Sequence, residues 1–286
     1  MPSRDRHRAG LMPRFNPDTL PADWIVPDWP APPSVRAVFT TRQGGCSLPP
    51  FDRFNLGDHV GDAPSAVAHN RAALAQYTGQ RPVFLQQVHG TQVLRLDQAT
   101  ASGAVADACL SLEQGVACTV MVADCLPVLF AHTQGLAVAA AHAGWRGLAQ
   151  GVLESTWAAW LRALEHVEPG ISPQAVAQQT LVWLGPCIGP QAFEVGAEVR
   201  AAFVAQSAAA AGAFVPQAGD RAGHWLADLP LLARQRLAAL GLTQVWGNDG
   251  TAAWCTVSQP SRFFSHRRDA AVLGSSGRMA ACIWRA

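Results

Sequence analysis

The sequence predicts an α+β (mixed α/β) fold: a single domain of mixed β-sheets flanked by helices. Three observations point there. Three short apolar runs, Ala117 to Ala123, Leu126 to Ala131 and Leu136 to Ala141, are each bounded by polar or turn residues, the pattern of buried strands. Segments with helical periodicity are interspersed with them, and no internal repeat is visible. The chain has 286 residues, 49% of them hydrophobic, enough to bury a core within one large domain.

Taken in order, residues 1–33 read as a Pro- and Arg-rich lead-in, frayed over 1–14 and extended against the body over 17–33, and residues 34–286 as the domain itself. Val35 to Thr41 is β-branched and aromatic, a strand that breaks at Gly44-Gly45. Residues 62–78 read as a helix with Asp62 as N-cap, Pro64 in its first turn and Gly79 as its stop. Val83 to Val88 and Thr91 to Leu96 are expected to pair as a hairpin around His89-Gly90. Beyond Gly144, residues 147–165 put Leu148, Val152, Trp157, Trp160, Leu161 and Leu164 on one helical face. A second helix is expected over 196–206, and a third from N-cap Asp228 to a Gly241 stop. Short strands near 181–184, 243–247 and 279–284 complete the set.

Composition removes whole chemistries. The 21 basic residues are all Arg, so no Schiff-base lysine, no Walker-type phosphate loop and no Ser-Lys dyad can be written. Against 20 acidic residues they leave no positive field for a nucleic acid. The seven Cys form no C-x-x-C pair, which suits a reducing, cytoplasmic setting. The Arg-rich start lacks the apolar core of a secretory signal, and the apolar runs are too short to span a membrane.

His89 closes one apolar strand, Cys125 lies between two, and His142 ends a third, so two imidazoles and a thiol can meet at strand ends. Zinc accepts that donor set and would keep a fourth position for water or substrate. Three alternatives use the same residues. Packed side chains without chemistry are one, and a structural metal closed by Asp124 or another Cys as fourth ligand is another. The third is a metal-free hydrolase with Cys125 as nucleophile and His142 or His89 as base. A four-copper oxidase needs about ten histidines, many in His-x-His pairs. The chain has nine His and no such pair, although a single copper with Met121 as axial ligand can be written.

The local wording carries further: Gln86-Gln87-Val88-His89-Gly90, Ala123-Asp124-Cys125-Leu126-Pro127 and Ala141-His142-Ala143-Gly144-Trp145-Arg146-Gly147. With them stand Thr40-Thr41-Arg42-Gln43-Gly44-Gly45, Phe54-Asn55-Leu56-Gly57, Gly185-Pro186-Cys187-Ile188-Gly189-Pro190 and Phe263-Phe264-Ser265-His266-Arg267-Arg268-Asp269. In these blocks the chain resembles the purine nucleoside phosphorylases long labelled polyphenol oxidases or laccase-domain proteins, from about residue 35 to 285. The resemblance implies a metal site at His89, Cys125 and His142, usually zinc with copper as second candidate. It implies phosphate-dependent cleavage of adenosine, inosine, guanosine or methylthioadenosine, with adenosine deamination beside it. Composition adds the expectation of a monomer or homodimer that binds neither nucleic acid nor membrane. One departure is visible: His266 stands where the family usually has Tyr.

Phosphorolysis needs an anion site, and Arg42, Arg146, Arg267 and Arg268 are its candidates. On a strand, Arg267 and Arg268 would face opposite ways, so at most one enters the site. Backbone N–H groups after Gly144 could cradle an anion. Asn55 either contacts sugar hydroxyls or holds a turn. His59 reads as surface or core.

Overall fold

The computed structural model describes residues 19–286, so the N-terminal segment 1–18 of the lead-in lies outside the described residues. Two sheets pack face to face. The first has the order β1-β13-β5-β2, built from β1 (Val35–Phe39), β13 (Met279–Arg285), β5 (Val116–Val122) and β2 (Arg81–Phe84). The second runs β12-β8-β6-β7-β4-β3, from β12 (Val245–Gly247), β8 (Thr180–Leu184), β6 (Leu126–His132), β7 (Val138–Ala143), β4 (Ala108–Ser111) and β3 (Val93–Leu96). Both are mixed, with β2 parallel to β5, β3 to β4 and β12 to β8, and the other pairs antiparallel. A small antiparallel sheet joins β10 (Phe214–Pro216), β11 (Trp225–Ala227) and β9 (Glu194–Val195).

The apolar runs are unbroken because both faces of these strands are covered. On β5, Val116, Cys118, Val120 and Val122 meet Leu129, Ala140 and Trp183 of the second sheet, while Ala117 and Met121 meet Leu74 of α1 (Pro64–Thr78). On β6, Leu126, Val128 and Phe130 turn the other way, toward α3 (Val152–Val167) and α6 (Leu229–Ala239). Four layers follow. In the described part of the lead-in, Trp24 stacks on Phe54 and Tyr77, and Ile25 bridges Phe39 at the edge of β1.

The structure corrects four local expectations. The segments around His89-Gly90 do not form a hairpin, because β2 joins the first sheet and β3 the second. The helix expected over 147–165 is two, α2 (Trp145–Gln150) and α3, broken where Gly151 takes φ 100. Asp62 does not cap α1; Ala63 holds that position, and the Asp62 carboxylate takes Ser47 and Asn55 instead. Arg267 and Arg268 lie on no strand but in the first turn of α7 (His266–Leu273), whose N-cap Ser265 accepts the Arg268 N–H. Two short helices had no expectation at all or a longer one: α4 (Pro173–Gln178) and α5 (Ala197–Val204).

The loop from Gly44 to Gly57 is tied down by one buried amide. Asn70 on α1 donates to Ser47 Oγ, the Arg53 carbonyl and the Asn55 carbonyl, and accepts the Cys46 N–H. Asn70→Ala strands those buried groups and is expected to remove about 3 kcal/mol of unfolding free energy. Urea titration checks this as a lower midpoint at unchanged slope.

Candidate metal centre and active site

Each sheet-to-sheet passage places one ligand. The chain crosses from β2 to β3 through residues 85–92, and from β5 to β6 through residues 123–125, at the same end of the sandwich. Each crossing turns on a non-glycine residue with positive φ, His89 at 60° and Asp124 at 90°. Such backbone is strained by about 1–2 kcal/mol and persists where neighbours over-determine it. Here they do. Asp107, fully buried, accepts the N–H groups of Val88, His89 and Gly90 at 3.1, 2.9 and 2.7 Å. Asp124 accepts the Thr256 hydroxyl at 2.5 Å and the Arg267 backbone N–H at 2.6 Å.

The structure brings His89, Cys125 and His142 together, each offering one ligand atom within 4.8 Å of the others. Cys125 Sγ lies 3.6 Å from His89 Nε2, and the two imidazole rings are 4.8 Å apart at 71°. In tetrahedral zinc, sulfur and nitrogen ligands at ~2.3 and ~2.0 Å stand about 3.5 Å from each other, so the donors fit such an ion. His142 Nδ1 meets Asp107 at 2.9 Å, which leaves Nε2 for the cluster. A Cβ at Gly144 would sit 2.7 Å from His89 Cδ2 and 2.9 Å from Cys125 Sγ; only glycine lets β7 turn into α2 this close to the ligands. At Gly147 the same atom would meet the Gly90 carbonyl at 2.9 Å, so α2 and the His89 loop also close on a glycine.

The Asp124 carboxylate is taken up by its two partners, and among the described residues no fourth His, Cys, Asp or Glu joins the cluster. Among the described residues the cluster therefore offers three donors, the number that leaves a tetrahedral ion one open position. Burial by itself would raise the Cys125 thiol, but the charge and hydrogen bond of His142 outweigh it and bring it down to about 6. Burial lowers His142, yet Cys125 and Asp107 carry it up to about 9. Without metal each partner thus favours the other's charged form, shifting the pair toward thiolate and imidazolium.

The ligands open into a cavity of about 410 Å³, lined also by His59, Gln87, Trp145, Arg146, Phe193, His266, Arg267 and Arg278. Arg146 lies over the Trp145 ring at 4.6 Å and Arg267 over Phe193 at 5.6 Å. Arg42 and Asn55 are not in its wall. Arg42 pairs with Asp52 at 3.2 Å and donates to the Asp52 and Pro260 carbonyls, while Asn55 is fully buried in its own loop. Arg268 is likewise spent on Asp269 and the carbonyls of Thr256, Val257 and Phe263. Sequence reasoning did not reach Asp107, Gln87 or Arg278, and it left His59 unassigned. Asp107 had one signal, a lone acid inside the apolar run Ala104 to Cys109. Gln87 clamps both backbone groups of Met121 at 2.7 and 2.8 Å, holding the crossing loop to β5.

A three-ligand cluster at the mouth of a mixed-sheet sandwich is the class of protein this geometry defines. Residues 36–286 match the family described as multi-copper polyphenol oxidoreductase laccase, and the chain belongs to that family. A Pseudomonas aeruginosa protein named purine nucleoside phosphorylase is 50% identical over 261 residues, covering 91% of this chain and 98% of that protein. The Escherichia coli K12 purine nucleoside phosphorylase YfiH is 48% identical over 262 residues, at 91% and 98% coverage. The crystal structure of a Neisseria meningitidis protein superposes with a TM-score of 0.80 at 44% identity, over 92% of this chain and 99% of that one. No helix among the described residues is long and apolar enough to cross a membrane.

Two outcomes are expected. In metal-free protein, carboxymethylation of Cys125 followed by mass spectrometry rises with pH through a midpoint of about 6, below the ~8.5 of an ordinary thiol. Asp107→Asn lowers metal affinity about 10- to 100-fold, read by competition with a chromophoric chelator.

Proposed function

We propose that the protein is a zinc-dependent purine nucleoside phosphorylase that cleaves adenosine, inosine, guanosine or methylthioadenosine with phosphate and also deaminates adenosine. One observation carries this reading: an open two-His, one-Cys cluster at the floor of a cavity whose three lining arginines have no carboxylate partner among the described residues. The names of relatives up to 50% identical support the same chemistry. The cavity volume of about 410 Å³ suits a small organic substrate.

In phosphorolysis the N-glycosidic bond breaks and a C1′–O bond forms to phosphate. The bonding pair leaves on the purine nitrogen, and the hydrogen-phosphate proton ends there. The protein's part is to hold the anion against the sugar and to keep the purine flat. Arginine forks serve the first task. Trp145 and Phe193, each already covered by a guanidinium, offer planar walls for the second. In deamination, water replaces the C6 amino group and ammonia leaves. A bound zinc would supply Lewis acidity for these steps, held by His89, Cys125 and His142.

A second reading is favoured by a specific contact set. Cys125, His142 and Asp107 stand in the order thiolate, imidazolium, carboxylate, which is also the constellation of a cysteine hydrolase. Elemental analysis of purified protein, paired with chromatography of adenosine with and without phosphate, separates the two. About one zinc per chain and adenine release only with phosphate is the expected result. Copper in its place would favour a single-copper oxidoreductase, and no metal with no purine turnover the hydrolase. Cys125→Ala is expected to lower metal content and abolish both activities; retained phosphorolysis would overturn the metal assignment.

A further inference from the structure

We propose that Arg278 is the residue that holds phosphate in the cavity, and that the Asn55–Gly57 loop is the device that aims it. The inference rests on the phosphorylase reading above and goes beyond it by placing the anion. Arg278 stands directly before β13, on the cavity wall beside His59. Its main chain is clamped on both sides: its N–H donates to Asn55 Oδ1 at 2.8 Å, and its carbonyl accepts the Leu56 N–H at 3.0 Å. Its stem runs across Gly57, where a Cβ would lie 2.7 Å from Arg278 Cγ. Its Nη1 donates to the carbonyls of Ser276 and Gly277 at 2.7 and 3.1 Å.

The rest of the fork is free. Among the described residues, Nε and Nη2 have no hydrogen-bond partner, and no carboxylate pairs with this guanidinium. Arg42, Arg71, Arg221, Arg236 and Arg268 each have such a carboxylate. Desolvation weighs most on Arg278 and pulls it below the usual arginine range, with Cys125 and Asp124 as its opposing charges. The Asp124 carboxylate is already engaged by Thr256 and the Arg267 N–H, and metal would engage the Cys125 thiolate. A half-buried cation that its own protein leaves unpaired in a cavity calls for an anionic ligand, and a fixed guanidinium edge matches phosphate oxygens. Burial and the Arg278 charge also hold His59 below the usual imidazole range, so it stands beside the anion as a neutral donor or acceptor.

The other two cavity arginines are placed differently. Arg146 and Arg267 are exposed and lie over aromatic faces at the rim. Their setting suits the organic half of the substrate, and Arg278 the inorganic half. The proposal also accounts for Asn55. Its Oδ1 accepts from Gly57 and Arg278, and its Nδ2 donates to the Gly57 carbonyl and to Asp62, so no polar atom is left for a sugar hydroxyl. It is a positioning residue.

The test uses the protein as purified, with its metal, and inorganic phosphate as the probe. Arg278→Gln is expected to raise the KM for phosphate about 10- to 100-fold, with the KM for adenosine changed far less, and to remove the phosphate-dependent rise in Tm. Gly57→Ala, which displaces the stem and keeps the guanidinium, gives a smaller change in the same direction; Arg278→Lys falls between and carries the test if Arg278→Gln does not fold. Arg95→Gln, an exposed arginine outside the cavity, behaves as wild type. A folded, metal-loaded Arg278→Gln protein with wild-type phosphate KM and Tm response overturns the proposal. If wild type shows no phosphorolysis, the Tm response still decides. A phosphate-dependent rise in wild type that the variant loses keeps the anion site while the reaction assignment falls; no rise in wild type ends the proposal.

Discussion

The site depends on one buried carboxylate. Asp107 is fully enclosed, yet it accepts four hydrogen bonds, three from the backbone of the His89 loop and one from His142. Taking a carboxylate out of water is expensive unless each lone pair finds a donor, and here the donors come from two crossing elements at once. Burial opposes its ionisation, but the His142 bond and the backbone N–H groups outweigh it and hold Asp107 below the usual carboxylate range. The same bonds fix the positive φ of His89 and the tautomer of His142. A fully buried residue, tied to both the His89 loop and His142, therefore sets the distance between the two imidazoles.

Asp124 repeats the device on the second crossing, with a different outcome. Its carboxylate reaches outward, to Thr256 and to the first turn of α7, and so couples the Cys125 loop to the segment that carries His266 and Arg267. The His-Cys-His cluster and the cavity wall share one set of crossings. Glycine is required where these crossings close: a Cβ at Gly144 would strike the His89 ring and Cys125 Sγ, and one at Gly147 the Gly90 carbonyl.

Much of this was legible in the sequence and some was not, for a physical reason that particular residues show. The runs that became β5, β6 and β7 read correctly because burial on both faces leaves a local mark. The order His89, Cys125, His142 read as one site because strand ends collect on a common edge. The hairpin failed because a pairing partner is a non-local fact: His89-Gly90 looks like a two-residue turn, and the chain uses it to change sheets. Arg42 and Asn55 were assigned by what their groups can do in general. What they do here depends on Pro260 and Arg278, 218 and 223 residues away in the chain. The N-cap at Ser265, with Asp269 bonding back to its N–H, was a readable helix signal that would have moved Arg267 and Arg268 off a strand.

The absence of lysine bears on the cavity more than on the surface. A partly desolvated ammonium loses its proton readily, whereas a guanidinium keeps its charge through a comparable loss of water. Arg278 is held down by desolvation that the charges of Cys125 and Asp124 oppose without outweighing, a setting in which lysine would drift toward neutrality. Arginine also leaves two edges to use: one can be tied to the Ser276 and Gly277 carbonyls while the other stays free. A cation that must be both gripped by backbone and available to an anion is a task for a planar fork, and the permanent cations of the cavity wall, Arg146, Arg267 and Arg278, are all of that type.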